Sequence, residues 1–301
     1  MSGIYDQLVQ HERFSSALAV ILAAVERARD EDYQIQPVVG PTRVGKTRVL
    51  ARAIQEVLRT SPVGSQSVIS VVSPKHLTAR ALPDACLSSI GMSTGGFKNH
   101  VAATEAFIKA ANKRNTKLII FDECQHMLER GSSTTVRAAA DFFKLFDGKL
   151  KASIVLAGLP SLNQLFLENE QLADRVRRPF QFYPYDCQGP DYTHFRAALA
   201  TALQYLTNNG WRTFDLKDAE FAKRMYIACA GRFGLIVKLF REVEVCSTSG
   251  EALYPEFAKA YEAAVIGRLI DFNPFDPRIT VQTEHMALVY TKVMSEAGVK
   301  V

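Results

Sequence analysis

The sequence predicts an α/β fold, a parallel sheet covered by helices on both faces, followed by a smaller all-helical domain. Three observations carry this. Residues 40–47, Gly-Pro-Thr-Arg-Val-Gly-Lys-Thr, fit G-x-x-x-x-G-K-[ST] without a mismatch and lie between a strand pattern and a helix pattern. The runs at 118–121 and 152–158 read as continuous apolar strands, as expected where both faces of a sheet are buried. Beyond Asp186 strand signals fade and helical spacing dominates.

In chain order, residues 1–34 read as helical, with Phe14, Leu18, Ile21, Leu22 and Val25 on one face and a charged exit over 26–32. Such a helix packs on the nucleotide domain or serves as a docking arm for a neighbouring subunit. Residues 35–39 form a short buried strand, although Pro37 argues against a central position because it donates no ladder hydrogen bond. In the loop that follows, Gly40 and Gly45 permit the tight backbone that, beyond Pro41, turns the N–H groups of Thr42, Arg43, Val44, Gly45 and Lys46 toward phosphate oxygens. Lys46 places a charge on the β- and γ-phosphates, and Thr47 offers its hydroxyl to Mg²⁺. The helix over 48–58 aims its positive dipole end at the same anion.

A turn at 61–65 leads to a β-branched strand over 67–72, which stops at Ser73-Pro74. Helices are expected at 82–90 and 101–112, around a Gly/Ser/Thr loop. The strand over 117–123 ends in two adjacent carboxylates. In phosphate-loop ATPases the first, here Asp122, binds Mg²⁺ through water, and the second, Glu123, polarises the attacking water. A strand followed by an acidic helix cap would look the same, and the upstream phosphate loop favours the catalytic reading. A helix over 134–145 reaches a turn at Asp147-Gly148, and the strand at 152–158 runs into a helix opened by Leu159-Pro160-Ser161. Arg175, Arg177 and Arg178 then cluster before an aromatic strand or linker at 180–185. The expected organisation is an N-terminal helical segment (1–34), a phosphate-loop domain (35–186), a helical domain (187–270) and a C-terminal tail (271–301). Helices are expected at 192–207, 216–230, 235–246, 255–269 and 281–297.

The totals exclude several classes. Across 301 residues, 48% hydrophobic and 22% charged content is that of a folded globular protein. A net charge of +5 and a pI near 8.9 are compatible with a nucleic-acid partner without establishing one. Five scattered cysteines with no C-x-x-C imply a reducing, cytoplasmic setting, and the histidines show no metal spacing with them. The apolar run 17–25 is too short to span a bilayer, so no membrane partner is expected. Asn112–Asn115 lacks the aspartate of a guanine-reading N-K-x-D, which argues against a GTPase. Lys75, Arg80, Lys98, Lys109 and Lys113, with Arg114, line a DNA-facing groove or are plain surface.

The order of phosphate loop, strand ending in Asp122-Glu123, apolar strand with Ala157-Gly158-Leu159-Pro160, arginine cluster and helical lid resembles the AAA+ ATPases. More narrowly, the stretches 118–126, 154–162, 170–176 and Gly231-Arg232-Phe233-Gly234 look like the TniB/TnsC transposition ATPases, with the ExeA secretion ATPases as relatives. The resemblance covers about residues 10–265. It implies an αβα sandwich with a helical lid, binding and hydrolysis of ATP with Mg²⁺, and rings or helical filaments on duplex DNA. It also implies recruitment of a transposase, with a targeting adaptor as a further partner. Arg175 would be the finger reaching a neighbour's γ-phosphate; a solvated basic face is the plainer reading of that cluster. The lid position where some relatives carry a sensor arginine matches Leu235 here, with Arg232 close by as the candidate to approach the nucleotide. Sensor 1, normally polar, matches Leu159 here, a departure that points to slow hydrolysis, and Ser161 is the candidate substitute. An ATP-switched secretion or signalling protein and a helicase loader are the alternatives.

Overall fold

The computed structural model describes residues 11–75, 78–128, 139–146, 148–167, 175–247, 250–265, 267 and 269–299, and the backbone alone at 133–138. The chain divides into two compact units. A sheet unit comprises Ser16–Gly40 and Lys46–Phe182; a helical unit comprises residues 11–15, Pro41–Gly45 and 183–299.

In the sheet unit, β1 (Ile35–Val39), β2 (Val68–Val72), β3 (Leu118–Asp122), β4 (Ser153–Gly158) and β5 (Phe180–Gln181) lie in the order β2-β3-β4-β1-β5. Every pairing is parallel, so all C-terminal strand ends share one edge. Burial follows position. β1 and β4 are buried throughout, whereas Ile69 and Val71 of edge strand β2 point inward and Ser70 and Val72 outward.

Pro37 sits inside β1 after all, and hydrogen-bond parity explains it. Ile35 and Val39 bond toward the β5 side, through Arg175 O, Arg177 N and Phe182 N. Gln34 and Gly40 bond toward β4, through Ile154 N and Gly158 O. Pro37 shares the parity of Ile35 and Val39, so its missing donor faces the gap between the Ile35–Val176 bridge and the Val38–Phe180 pair. The Gln36 amide donates there to Pro37 O (3.0 Å) and Arg178 O (3.2 Å).

The N-terminal helix is Glu12–Arg29. Its buried face is Phe14, Ala17, Ile21, Ala24, Val25 and Ala28, with Leu18 and Leu22 half-buried at its margin. From Ser16 onward it belongs to the sheet unit of its own chain. Asp30 to Gln34 are not helical, and residues 1–10 of the expected segment lie outside the described residues. Helix His100–Lys113 is capped by Asn99 Oδ1, which accepts Ala102 N–H at 2.9 Å. Phe121 of β3 meets Phe143 edge-on at 5.3 Å, which packs helix Ser133–Lys144 on the sheet. The helix expected from Leu159 to about 169 is a 3-10 turn (Pro160–Asn163) and one α turn (Gln164–Leu167); 168 and 169, like Asp147 of the expected turn, lie outside the described residues.

The helical unit holds helices Gly189–Asn208, Ala219–Cys229, Phe233–Cys246, Tyr254–Ala264 and Thr283–Glu296. It also holds a two-residue parallel pair, Arg212–Thr213 with Glu251–Ala252, too short for any periodicity to announce. The residues after Asp271 are not a separate tail: Phe275, Val281, Met286, Val289 and Val293 are buried in this unit's core. Arg224, 5% exposed, fixes them. Its guanidinium donates to Pro274 O (2.8 Å), Asp276 O (3.0 Å), Ile279 O (2.8 Å) and Glu220 Oε1 (2.9 Å). Arg224→Ala strands three carbonyls and is expected to cost about 3 kcal/mol. A denaturant midpoint unchanged from the wild type would refute that anchoring role.

Residues 11–15 are anchored in the same unit. His11 is 7% exposed, with Nδ1 at 2.8 Å from Tyr185 Oη and its ring 4.1 Å from that of Phe233. Arg13 pairs with Asp191 and lies 4.7 Å over the Tyr185 ring. Burial, and then the charge of Arg13, pulls the His11 pKa from 6.5 to about 3. The folded state thus binds fewer protons than the unfolded state below pH 6.5, and stability falls as pH drops through that window. The slope is up to about 1.4 kcal/mol per pH unit. Thermal melting from pH 7 to 4.5 checks this, since His11→Gln should show a shallower decline than the wild type.

Candidate functional site

The phosphate-loop residues that belong to the sheet unit meet the ends of β3 and β4. Gly45 has φ 116° and Arg43 φ 64°, so the loop is wound tightly just before Lys46; the first value is one that a side chain rarely permits. Lys46 begins helix Lys46–Arg59, and its Nζ donates back to Gly40 O at 2.7 Å. Thr47 Oγ1 lies 3.3 Å from Asp122 Oδ2, although Asp122 is on β3, two strands from β1. Glu123 leaves the sheet in a left-handed conformation (φ 57°, ψ 36°), and its N–H donates to Asp122 Oδ1 at 2.8 Å.

Within this cluster one cation, Lys46, faces two carboxylates, Asp122 and Glu123. Burial lowers the Lys46 pKa to about 8, against the opposing pull of Glu123 and Asp122. Burial raises the Asp122 pKa, partly offset by its bonds from Glu123 N–H and Thr47. A hydroxyl and a carboxylate oxygen at this spacing form a hard-oxygen pair suited to Mg²⁺, and a bound cation would stabilise ionised Asp122. Cys124 is buried with its thiol pushed up to about 12, which makes it an inert neighbour.

Sequence reasoning missed Gln125. It lies on the 3-10 turn Cys124–Met127, and its Nε2 donates to Glu123 Oε2 while its Oε1 accepts Leu159 N–H at 3.2 Å. Gly158 makes this approach possible: a Cβ there would stand 3.1 Å from both Gln125 N and Oε1. Gln125, not Ser161, is the polar side chain bonded at the end of β4. Nothing in the spacing of Asp122-Glu123-Cys124-Gln125 signals a bond between strands.

The other expected residues fall elsewhere. Arg175 is exposed, and its carbonyl pairs with Ile35 N at the start of β1, while the phosphate loop follows the end of β1. Five strand residues separate these ends by about 16 Å. Arg175 therefore cannot reach the phosphate loop of its own chain. In the helical unit Arg232 is 9% exposed and donates through Nε to Cys229 O at 3.0 Å. Burial, reinforced by the like charge of Arg43, disfavours its charged form, and an adjacent anion would reverse that.

Of the five residues expected along a DNA groove, four are exposed and Arg80 is half-buried. Arg80 is consumed within its own chain, pairing with Asp84 (3.0 Å) and donating to the carbonyls of Phe97 (2.9 Å) and Thr94. Lys75, just past the end of β2, and Lys98, before helix His100–Lys113, are exposed at one end. Lys109 and Lys113 are exposed near the other end of that helix, which is about 21 Å long.

The family model for the bacterial TniB protein matches residues 4–182. A search of curated protein sequences finds no match. Among solved structures the chain is similar to the ORC2 protein of Aeropyrum pernix, determined as ADPNP-ADP complexes. Identity is 11%, with 90% of this chain and 69% of that chain covered and a TM-score of 0.61. It is similar to Cdc6p of Pyrobaculum aerophilum, with 11% identity, 95% and 81% coverage and a TM-score of 0.58. It is also similar to domain III of the Thermotoga maritima replication initiation protein DnaA, with 16% identity, 87% and 96% coverage and a TM-score of 0.51. Among the described residues no helix is long and apolar enough to cross a membrane. With its parallel five-stranded sheet, phosphate loop and paired acids, the chain has the AAA+ ATPase fold and belongs to the bacterial TniB protein family.

Proposed function

We propose that this protein binds and hydrolyses ATP, assembles in its ATP-bound form on duplex DNA, and in that state recruits and stimulates a transposase. The observation that carries the reading is the Lys46–Thr47–Asp122–Glu123 cluster at the common edge of the sheet. The TniB family match supports the link to transposition, and the nucleotide complexes of the Aeropyrum pernix ORC2 protein support the choice of ligand.

In the proposed mechanism Lys46 leaves Gly40 O and pairs with the β- and γ-phosphates, while N–H groups of the loop surround their oxygens. Thr47 and Asp122 would hold Mg²⁺, which neutralises phosphate charge when bound. Glu123 orients a water and accepts its proton as the water oxygen attacks the γ-phosphorus. The bond from that phosphorus to the β–γ bridging oxygen breaks, leaving ADP and inorganic phosphate. Arg175, remote from its own phosphate loop, supplies a charge to the γ-phosphate of an adjacent copy. ATP thereby favours assembly and hydrolysis favours release.

Negative-stain microscopy with duplex DNA and a non-hydrolysable ATP analogue tests the reading. Rings or filaments that require both ligands are expected. ATP-dependent oligomers indifferent to DNA would move the function to an ATP-switched partner-binding protein. No assembly at all would refute the role of Arg175.

A further inference from the structure

We propose that Gln125 is a positioning residue for hydrolysis, holding the Glu123 carboxylate against the end of β4 and supplying from the β3 side the polar group that Leu159 lacks. The proposal rests on Glu123 acting as the base of an ATPase.

A side-chain amide has one donor end and one acceptor end, and those of Gln125 bind different elements. Its Nε2 donates to the Glu123 carboxylate, and its Oε1 accepts the N–H of Leu159 at 3.2 Å. The amide orientation is fixed chemically, because a carboxylate needs a donor and a backbone N–H needs an acceptor. The seat is close-fitting: Gln125 is 7% exposed and the bare Cα of Gly158 lies against it.

Glu123 needs such a restraint. Its backbone is left-handed, a conformation that costs a non-glycine residue about 1 kcal/mol. Its flexible side chain would otherwise sample several rotamers. With Gln125 bonded at both ends, the carboxylate of the turn after β3 is tied to the backbone at the end of β4. Movement of β4 relative to β3 would then be transmitted directly to the base.

The test is steady-state ATP hydrolysis with separate nucleotide-binding measurements. Gln125→Ala should lower kcat about ten- to a hundredfold, as loss of a partner that orients a functional group does, and leave KM and analogue affinity within about twofold. In a Glu123→Gln background the same substitution should have no further effect on residual turnover, whereas a merely structural role would lower it in both backgrounds. If Gln125→Ala fails to fold, Gln125→Glu carries the test: it keeps the size and the acceptor and replaces the donor, and the same loss of kcat is expected. Wild-type turnover in a folded Gln125→Ala or Gln125→Glu protein, or equal losses in both backgrounds, overturns the proposal alone. A wild-type protein that binds ATP without hydrolysing it overturns the base role of Glu123, and this proposal with it.

Discussion

Lys46→Ala is expected to abolish measurable ATP binding. The ammonium lies 2.7 Å from Gly40 O, bridging the first and last parts of the loop. It is also the cation that offsets Asp122 and Glu123, whose charges pull its pKa upward against burial. Without it, the phosphates would enter a site whose nearest fixed charges are two carboxylates. Losing a charge-assisted bond of this kind costs about 3 kcal/mol, a more than hundredfold loss of affinity. Titration calorimetry with a non-hydrolysable analogue checks it, and ATP-dependent assembly on DNA should disappear in parallel. Unchanged affinity would refute the site.

Glu123→Gln should separate binding from turnover. An amide has the same size, and its oxygen can still accept from Gln125 Nε2, so the turn after β3 is retained. It cannot take a proton from water. Hydrolysis is expected to fall about 10²- to 10⁴-fold, the range associated with a positioned general base. ATP affinity should stay within a few-fold, and assemblies on DNA should persist longer than those of the wild type. Phosphate release and dissociation rates measured side by side decide it, and normal turnover would remove Glu123 from the mechanism.

Much of the sheet was legible because position in it dictates composition. β3 and β4 are interior strands buried on both faces, so 118–121 and 154–158 are apolar at every position. β2 reads as a strand from its β-branched residues, but its edge position does not show in the sequence, because the outward-facing Val72 is as apolar as the inward-facing Val71. The placement of Asp122 beside Thr47 was legible, because a phosphate loop that holds Mg²⁺ calls for an acid at the end of a nearby strand. Features that depend on contacts between distant segments were not. Pro37 is acceptable only because of the direction its nitrogen faces, which register decides. Gln125 matters through Leu159 N–H, a partner 34 positions away. Arg224 reads as an ordinary helix arginine until the carbonyls at 274, 276 and 279 close around it.

The placement of Arg175 at the start of β1 and the phosphate loop at its end gives the proposed assembly a direction. A contact that joins the Arg175 end of one copy to the phosphate-loop end of the next, without its reciprocal, uses two different surfaces and is heterologous, so it does not close as a two-fold dimer. It continues until it meets itself in a ring or grows as a helix. In an open helix the terminal copies differ: one presents a phosphate loop with no arginine beside it, the other an arginine with no nucleotide before it. Nucleotide at the first terminus lacks the neighbour's charge and would outlast nucleotide in the interior. Growth, shrinkage and capture of another protein would then proceed unequally at the two termini.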